Sequence, residues 1–212
     1  MGRQLQIPLE PRKTPVQARS TVTVEAIYEA TFQVLLAMGG PNRLTTTRVA
    51  ERAGVSVGTL YRYFSNKQSL LLSVLKKHHD HVASAVELAC RRNHGQQVST
   101  MIESVVEAFV DAKMKRSDIS MALYATAVGA QERALVNKAV KRAQAAMASM
   151  LATAPNTKFA DLPFTSLMLI SAMGGATRAV LEAGCGPRMV RLLRRQLVLL
   201  CRGFLMSVTA EA

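Results

Sequence analysis

Apolar positions along the chain recur at helical spacing, and hardly any stretch alternates in twos as a half-buried strand would. Over residues 22–38, Ala26, Ile27, Ala30, Val34, Leu35 and Met38 draw one apolar stripe, and Gly39-Gly40-Pro41 ends the helix they predict. Val49, Ala50 and Ala53 mark a short second helix. Thr45 or Thr46 can open it, since a threonine hydroxyl accepts the free N–H groups of a first turn, and Gly54 supplies the left-handed residue that stops it. Ser56 is placed to cap a third helix, with Leu60 and Phe64 four apart on its buried side. Ser65 or Asn66 then opens a long fourth helix reaching about residue 92, its apolar side beginning at Leu70, Leu71, Val74 and Leu75.

After the break at Asn93-His94-Gly95, residues 96–116 read as an amphipathic helix, apolar at Met101, Ile102, Val105, Val106, Phe109 and Val110. Asp118 is expected to cap a shorter helix to about residue 128. Residues 131–153 form another, apolar at Leu135, Val136, Val140, Ala143, Met147 and Leu151, with Lys138, Lys141 and Arg142 turned outward. Pro163 and Pro187 each suit the first turn of a helix, where a missing N–H is no loss, so two last helices are expected at about 163–183 and 187–208. The first of these is apolar nearly all round and needs cover on more than one side. The second is apolar at Val190, Leu193, Leu197, Leu200 and Phe204, with Arg188, Arg191, Arg195 and Arg202 along another side.

Composition agrees with an all-α fold of about nine helices: tryptophan is absent, aromatics are few, and alanine and methionine are plentiful. The net charge of +13 is spread along the chain, +6 over residues 1–80 and +7 over 81–212. A basic balance admits nucleic acid, an anionic membrane or an acidic partner without choosing among them. Cys90, Cys185 and Cys201 are odd in number and widely spaced, which suggests buried thiols in a reducing cytoplasm. Residues 1–19 lack the apolar core of a signal peptide, and the apolar run at 162–176 is short for a bilayer crossing, so no membrane partner is expected.

The second and third helices carry the most specific chemistry. With Leu60 and Phe64 inward, the third presents Val57, Gly58, Thr59, Tyr61, Arg62 and Tyr63 outward or to its flanks, which suits insertion into a major groove. Patterning alone fits an ordinary helical hairpin equally well. The string TTxRVAERAGVSVGTLYRYFSNKQSLL resembles the DNA-binding domain of the TetR family of bacterial transcriptional regulators, without a gap from about Thr23 to Leu72. Its AGVS-x-GTLY-x-YF-x-x-K core is highly specific, and the resemblance fades beyond it.

The resemblance implies a homodimeric regulator that binds double-stranded operator DNA in the bacterial cytoplasm, a repressor released by a small-molecule inducer, with no cofactor. An activator of the same fold and a sequence-indifferent DNA-binding protein remain as alternatives. It implies a DNA face made by Thr45, Thr46, Thr47, Arg48, Ser56, Val57, Gly58, Thr59, Tyr61, Arg62, Tyr63 and Lys67. Of these, Val57, Gly58, Thr59 and Arg62 are placed for base edges, and Lys67 for a phosphate. The domains implied are a flexible basic arm at 1–20, a helix-turn-helix domain at 21–66 and a ligand-binding and dimerisation domain at 67–212, which dimerises through residues 163–208.

The body offers less. Thioethers re-pack around varied shapes, so Met101, Phe109, Met121, Tyr124, Met147 and Met173 are candidate ligand contacts, although a methionine-rich core fits them equally. His78 and His81 share a helix face, but no further cluster supplies the other ligands of a metal, and a solvated surface is the expected setting. Glu103, Glu107 and Asp111 line one face at four-residue spacing, expected to be solvated. No phosphate loop, HExxH, GxSxG or paired acid/base arrangement appears, so no enzyme is expected.

Overall fold

The computed structural model of the chain describes residues 18–38, 43–124, 129–184 and 186–210, without the side chains of 18, 19, 122–124 and 210. Among the described residues lie nine helices: α1 Ala18–Met38, α2 Thr46–Ala53, α3 Val57–Tyr63, α4 Lys67–Arg92, α5 Val98–Met114, α6 Ser117–Tyr124, α7 Ala130–Leu151, α8 Leu162–Glu182 and α9 Pro187–Val208. Two two-residue strands, β1 Lys158–Phe159 and β2 Thr209–Ala210, pair antiparallel and tie the segment after α7 to the end of α9. The chain divides into two compact units. The head comprises the described residues up to His78 together with Asp118–Leu135, and the body His79–Ser117 together with Val136 onward. The three boundaries between them fall inside continuous helices, α4, α6 and α7.

The head is built around Ile27, Leu35, Leu44, Val49, Leu60, Phe64, Leu70 and Val74, all buried, with Ile119 from α6 completing the cluster. The Tyr28 and Phe64 rings meet at 5.7 Å between centroids, tilted by 58°. The first helix begins at Ala18, four residues before the expected start, and buries a stripe widened by Val24, Tyr28, Thr31 and Phe32. Thr31 can be buried because its hydroxyl donates to the Ile27 carbonyl at 2.7 Å. Asn66 caps α4: its side chain accepts from the Ser69 N–H at 2.8 Å while Ser69 accepts from the Asn66 N–H at 3.2 Å, a reciprocal cap that satisfies two orphan donors.

In the body, α5 packs against α8 and α9, and α8 against α9. Met101, Ile102, Val105, Val106, Met147, Met150, Leu151, Leu169, Met173, Leu197 and Cys201 form its core. Burial pushes the Cys90 thiol up to about 12 and that of Cys201 up to about 11, so neither is a nucleophile at neutral pH. Cys185 lies outside the described residues, as do the arm at 1–17, the Gly39-Gly40-Pro41 stop and residues 125–128.

Several expectations need correction. Asp118 lies in the first turn of α6, which begins at Ser117, and is not its cap. Leu200 is exposed, and Cys201 and Leu205 fill the buried side of α9 instead. Arg142 does not point outward but bonds to α4. His78 is buried, within 3.2 Å of the Ser120 hydroxyl. Glu103 and Asp111 are exposed, but each pairs with an arginine of α9, Arg202 and Arg194 respectively. Helix α8, at 21 residues, is also long and apolar enough to cross a bilayer. Its Thr165, Ser166, Leu169, Ile170, Met173, Thr177 and Leu181 are nonetheless buried in the body, packing an inserted helix would forfeit.

Candidate nucleic-acid interface

The turn between α2 and α3 is fixed by local chemistry. Thr45 is the residue that opens α2, its hydroxyl accepting from the Arg48 N–H at 3.4 Å. Gly54 stops it at φ 67°, ψ 31°, with its N–H turned back to the carbonyls of Ala50 and Glu51. A side chain in that conformation would be strained, which is why glycine stands there. Two residues on, Ser56 accepts from the Thr59 N–H at 3.0 Å and starts α3. Leu60 and Phe64 are buried, as their spacing predicts.

The candidate residues then fall into three groups. Thr45, Thr47, Arg48, Ser56, Gly58, Tyr61 and Arg62 are exposed. Thr46, Val57, Thr59 and Lys67 are half-buried, Val57 because it packs against the head core. Tyr63 is only 3% exposed, so its ring belongs to the core and not to the outward face expected of it. The expectation failed because Tyr63 lies three residues after Leu60 and shares its inward side.

One hydrogen bond joins the two helices across the turn: Thr46 Oγ1 and Tyr61 OH lie 3.0 Å apart. It places the opening turn of α2 beside the middle of α3, so their exposed residues form one continuous surface. Arg62 stacks over Tyr63, its guanidinium carbon 5.1 Å from the ring centroid, and donates to the phenol oxygen at 3.3 Å. Its charge is thus held at the rim of α3 on a planar support. Gly58 sits in the same surface, and a Cβ built on it would meet only the Ser56 hydroxyl, at 3.8 Å. The protein's own packing does not require glycine there, and a bare backbone at that point leaves room for another molecule to approach. Two groups escaped the sequence reading. Arg43 is exposed just before the cap, and Arg52 donates to Gln33 at 2.6 Å, bracing α2 on α1. The cation two residues ahead of Thr45 was the signal for the first; nothing nearby in sequence announces the second.

Of the candidate ligand contacts, Met101, Phe109, Met147 and Met173 are close-packed core of the body. Met121 is exposed, and the Tyr124 side chain lies outside the described residues. None of the five whose side chains are described lines the open groove of about 420 Å³ between α4 and α5, which is bordered by His81, Leu88, Arg92, Glu107, Asp111 and Lys115. Two bases, the buried Lys113 and the half-buried His79, lie elsewhere in the body. Burial pushes the Lys113 amine down to about 8. Burial and then the Lys113 charge push His79 down to about 4, against an opposing pull from Asp80.

Comparison with known proteins decides the family. The model for bacterial regulatory proteins of the tetR family matches residues 27–74, and that for the tetracyclin repressor-like C-terminal domain matches residues 99–205. The chain belongs to the TetR family. Proteins of this family are DNA-binding transcriptional regulators and not enzymes. This TetR-family chain is 32% identical over 117 residues to the HTH-type transcriptional repressor KstR of Rhodococcus jostii, covering 55% of each protein. It is 41% identical over 63 residues to the HTH-type transcriptional activator FasR of Mycolicibacterium smegmatis, 30% of this chain and 28% of that one. The chain therefore spans about half or less of the length of these relatives. A TetR-family regulator from Streptomyces coelicolor shares the fold at a TM-score of 0.70 with 20% identity, over 92% of this chain and 83% of that one. The regulator FadR from Bacillus subtilis, solved in complex with stearoyl-CoA, does so at 0.69 with 16% identity, over 84% and 96%.

Proposed function

We propose that the protein is a homodimeric, operator-binding repressor that leaves its DNA when a small molecule binds the body. The observation that carries the DNA reading is the surface made by α2 and α3, where exposed Thr47, Arg48, Tyr61 and Arg62 surround an unobstructed Gly58. Arg62, Thr59, Val57 and Gly58 take base edges in the major groove; Thr45, Thr46, Thr47, Arg48, Ser56, Tyr61 and Lys67 take the backbone, and Tyr63 supports Arg62 from within. Two such heads enter successive major grooves, about 34–36 Å apart for half-sites one turn apart.

Dimerisation is supported by the apolar strip that α8 and α9 leave uncovered. Phe164, Met168, Met189, Leu192, Leu199, Leu200 and Met206 are all exposed, Met206 at 79% and Leu199 at 53%. Ser171 and Gly175 open the same side of α8 to close approach. Repression is supported by the repressor KstR among the relatives, and response to a ligand by the stearoyl-CoA held by the Bacillus FadR. A ligand shifts the equilibrium only by its differential affinity for the DNA-bound and released states. Activation is the second reading, favoured by the match to the activator FasR over 63 residues. Like other regulators of this family, the protein is assigned to the cytoplasm.

Binding of the purified protein to the intergenic DNA upstream of its own coding sequence, against random duplex at physiological salt, tests the reading. Preference of roughly a thousandfold is expected, followed by loss of the complex on titration with long-chain acyl-CoA. A protein that holds all duplexes equally is a sequence-indifferent DNA binder. A specific complex that acyl-CoA leaves intact rejects that ligand class.

A further inference from the structure

One side chain in the body holds three residues of the helix that runs into the head. Arg142 of α7 donates from Nη1 to Asp80 Oδ1 at 2.7 Å. Its Nε and Nη2 donate side by side to Glu87 Oε1 and Oε2 at 2.9 and 2.8 Å, and Nη2 also reaches Ser84 Oγ at 3.2 Å. Asp80, Ser84 and Glu87 follow one another at helical spacing, so a single guanidinium spans about 10 Å of α4. Lys138 and Lys141 on the same helix are exposed and take no part. An exposed lysine pair is worth little and is easily exchanged for water. A planar fork on one carboxylate, with a second carboxylate and a hydroxyl on the remaining N–H groups, fixes direction as well as charge.

Helix α4 is continuous from Lys67 to Arg92. Its first turns carry Leu70 and Val74, which are embedded in the head core with Leu60 and Phe64 of the reading helix. The helix that Arg142 grips is therefore the one on which α3 is packed. We propose that Arg142 is a positioning residue for operator recognition: by clasping Asp80, Ser84 and Glu87 it fixes the setting of α4, and hence the spacing at which a dimer presents its two α3 helices. Arg142 touches no DNA, and any displacement of α7 is conveyed through it to α4. The inference rests on the regulator reading above.

The test uses a duplex enriched by the wild-type protein from a random-sequence pool, together with versions carrying one base pair more or less at the centre. Full-length Arg142→Met keeps the apolar stem and loses every bond of the clasp; Arg142→Lys keeps the charge but not the fork. Lys138→Met removes an equal charge from an exposed position on the same helix that takes no part in the clasp, and serves as control. Arg142→Met is expected to weaken the enriched duplex at least about fivefold and to flatten the preference among spacings. Its salt dependence stays as in the wild type, because no phosphate contact is lost. Arg142→Lys falls between, and Lys138→Met matches the wild type. Should Arg142→Met not fold, Asp80→Asn and Glu87→Gln each remove one arm and are expected to reproduce the spacing effect in part. A folded clasp variant with lower thermal stability but wild-type affinity and spacing preference overturns the proposal, because the clasp is then only structural. A pool that yields no preferred sequence overturns the regulator reading and the inference with it, whereas enrichment followed by an indifferent clasp variant overturns the inference alone.

Discussion

The head buries most of its large apolar side chains, with Val22, Leu36 and Met121 among the exceptions, and surrounds α3 with threonine, tyrosine and arginine, whereas the body leaves leucines, methionines and a phenylalanine uncovered along α8 and α9. A monomeric protein rarely presents a contiguous apolar strip without a use for it, and a polar surface with an unobstructed glycine is a use of another kind. On the proposed reading, the head meets a charged, hydrated partner through side chains that are themselves hydrated beforehand. On the same reading, the body meets an apolar partner, for which the second copy's own strip is the complement. Affinity for an operator would then depend on both, since each head alone would grip a single half-site.

The sharpest way to separate the two regions is to spoil the body's strip and watch the head. Leu199→Arg puts a charge into the exposed strip and should leave the fold intact while giving a monomer in sedimentation. Operator affinity should fall by roughly 100- to 10,000-fold, the usual worth of linking two binding modules. A dimer with normal affinity would remove the strip from the interface. The reverse experiment spoils the head from within. Leu60 is fully buried, so Leu60→Ala should cost the head about 2–5 kcal/mol in denaturant unfolding, with dimerisation preserved. Simultaneous loss of both would show that the two units do not fail separately.

A smaller contrast lies in acid sensitivity. His79 belongs to the body and is held neutral down to about pH 4 by burial, against an ordinary value of 6.5. Between those values the unfolded chain binds the extra proton. The stability His79 contributes is therefore full above the ordinary value and lost as pH falls towards the lowered one, by roughly 1–3 kcal/mol. His79→Gln should flatten the melting temperature over that window; an unchanged profile would assign acid sensitivity to other groups. The smallest effect has opposite signs in stability and binding. Gly58→Ala meets no obstacle in the protein and should stabilise the head by about 0.5–1 kcal/mol, yet weaken operator binding because the new methyl stands where the DNA approaches. Stronger or equal binding would deny Gly58 its place at the interface.

What was legible in the sequence follows the same division. The caps at Thr45, Ser56 and Asn66, the stop at Gly54 and the burial of Leu60 and Phe64 depend on residues within four positions of each other, and the chain displays them directly. The aspect of Tyr63 was misread although its spacing from Leu60 announces it. In the body, the decisive contacts join residues 55 to 99 positions apart, Arg142 with Asp80 and Glu87, Arg202 with Glu103. Nothing local marks them, and an arginine bound to another helix looks in sequence like one facing water. The methionines chosen as ligand contacts show the same limit, since flexible apolar residues fill a solid core as readily as they line a cavity. The β1–β2 pairing was missed because two residues per strand carry no alternation to read.

The central claim is that α3 reads base sequence while the residues around it hold the backbone. The most direct test compares Arg62→Ala and Lys67→Ala with the wild type on the enriched duplex and on a scrambled one, across a salt series. Arg62→Ala should lose about 1–3 kcal/mol of preference at one half-site position and keep the wild-type salt slope. Lys67→Ala should weaken both duplexes alike and lower the slope by about one contact. If both variants instead lose affinity equally for the two duplexes, α3 is gripping the backbone and does not read the sequence.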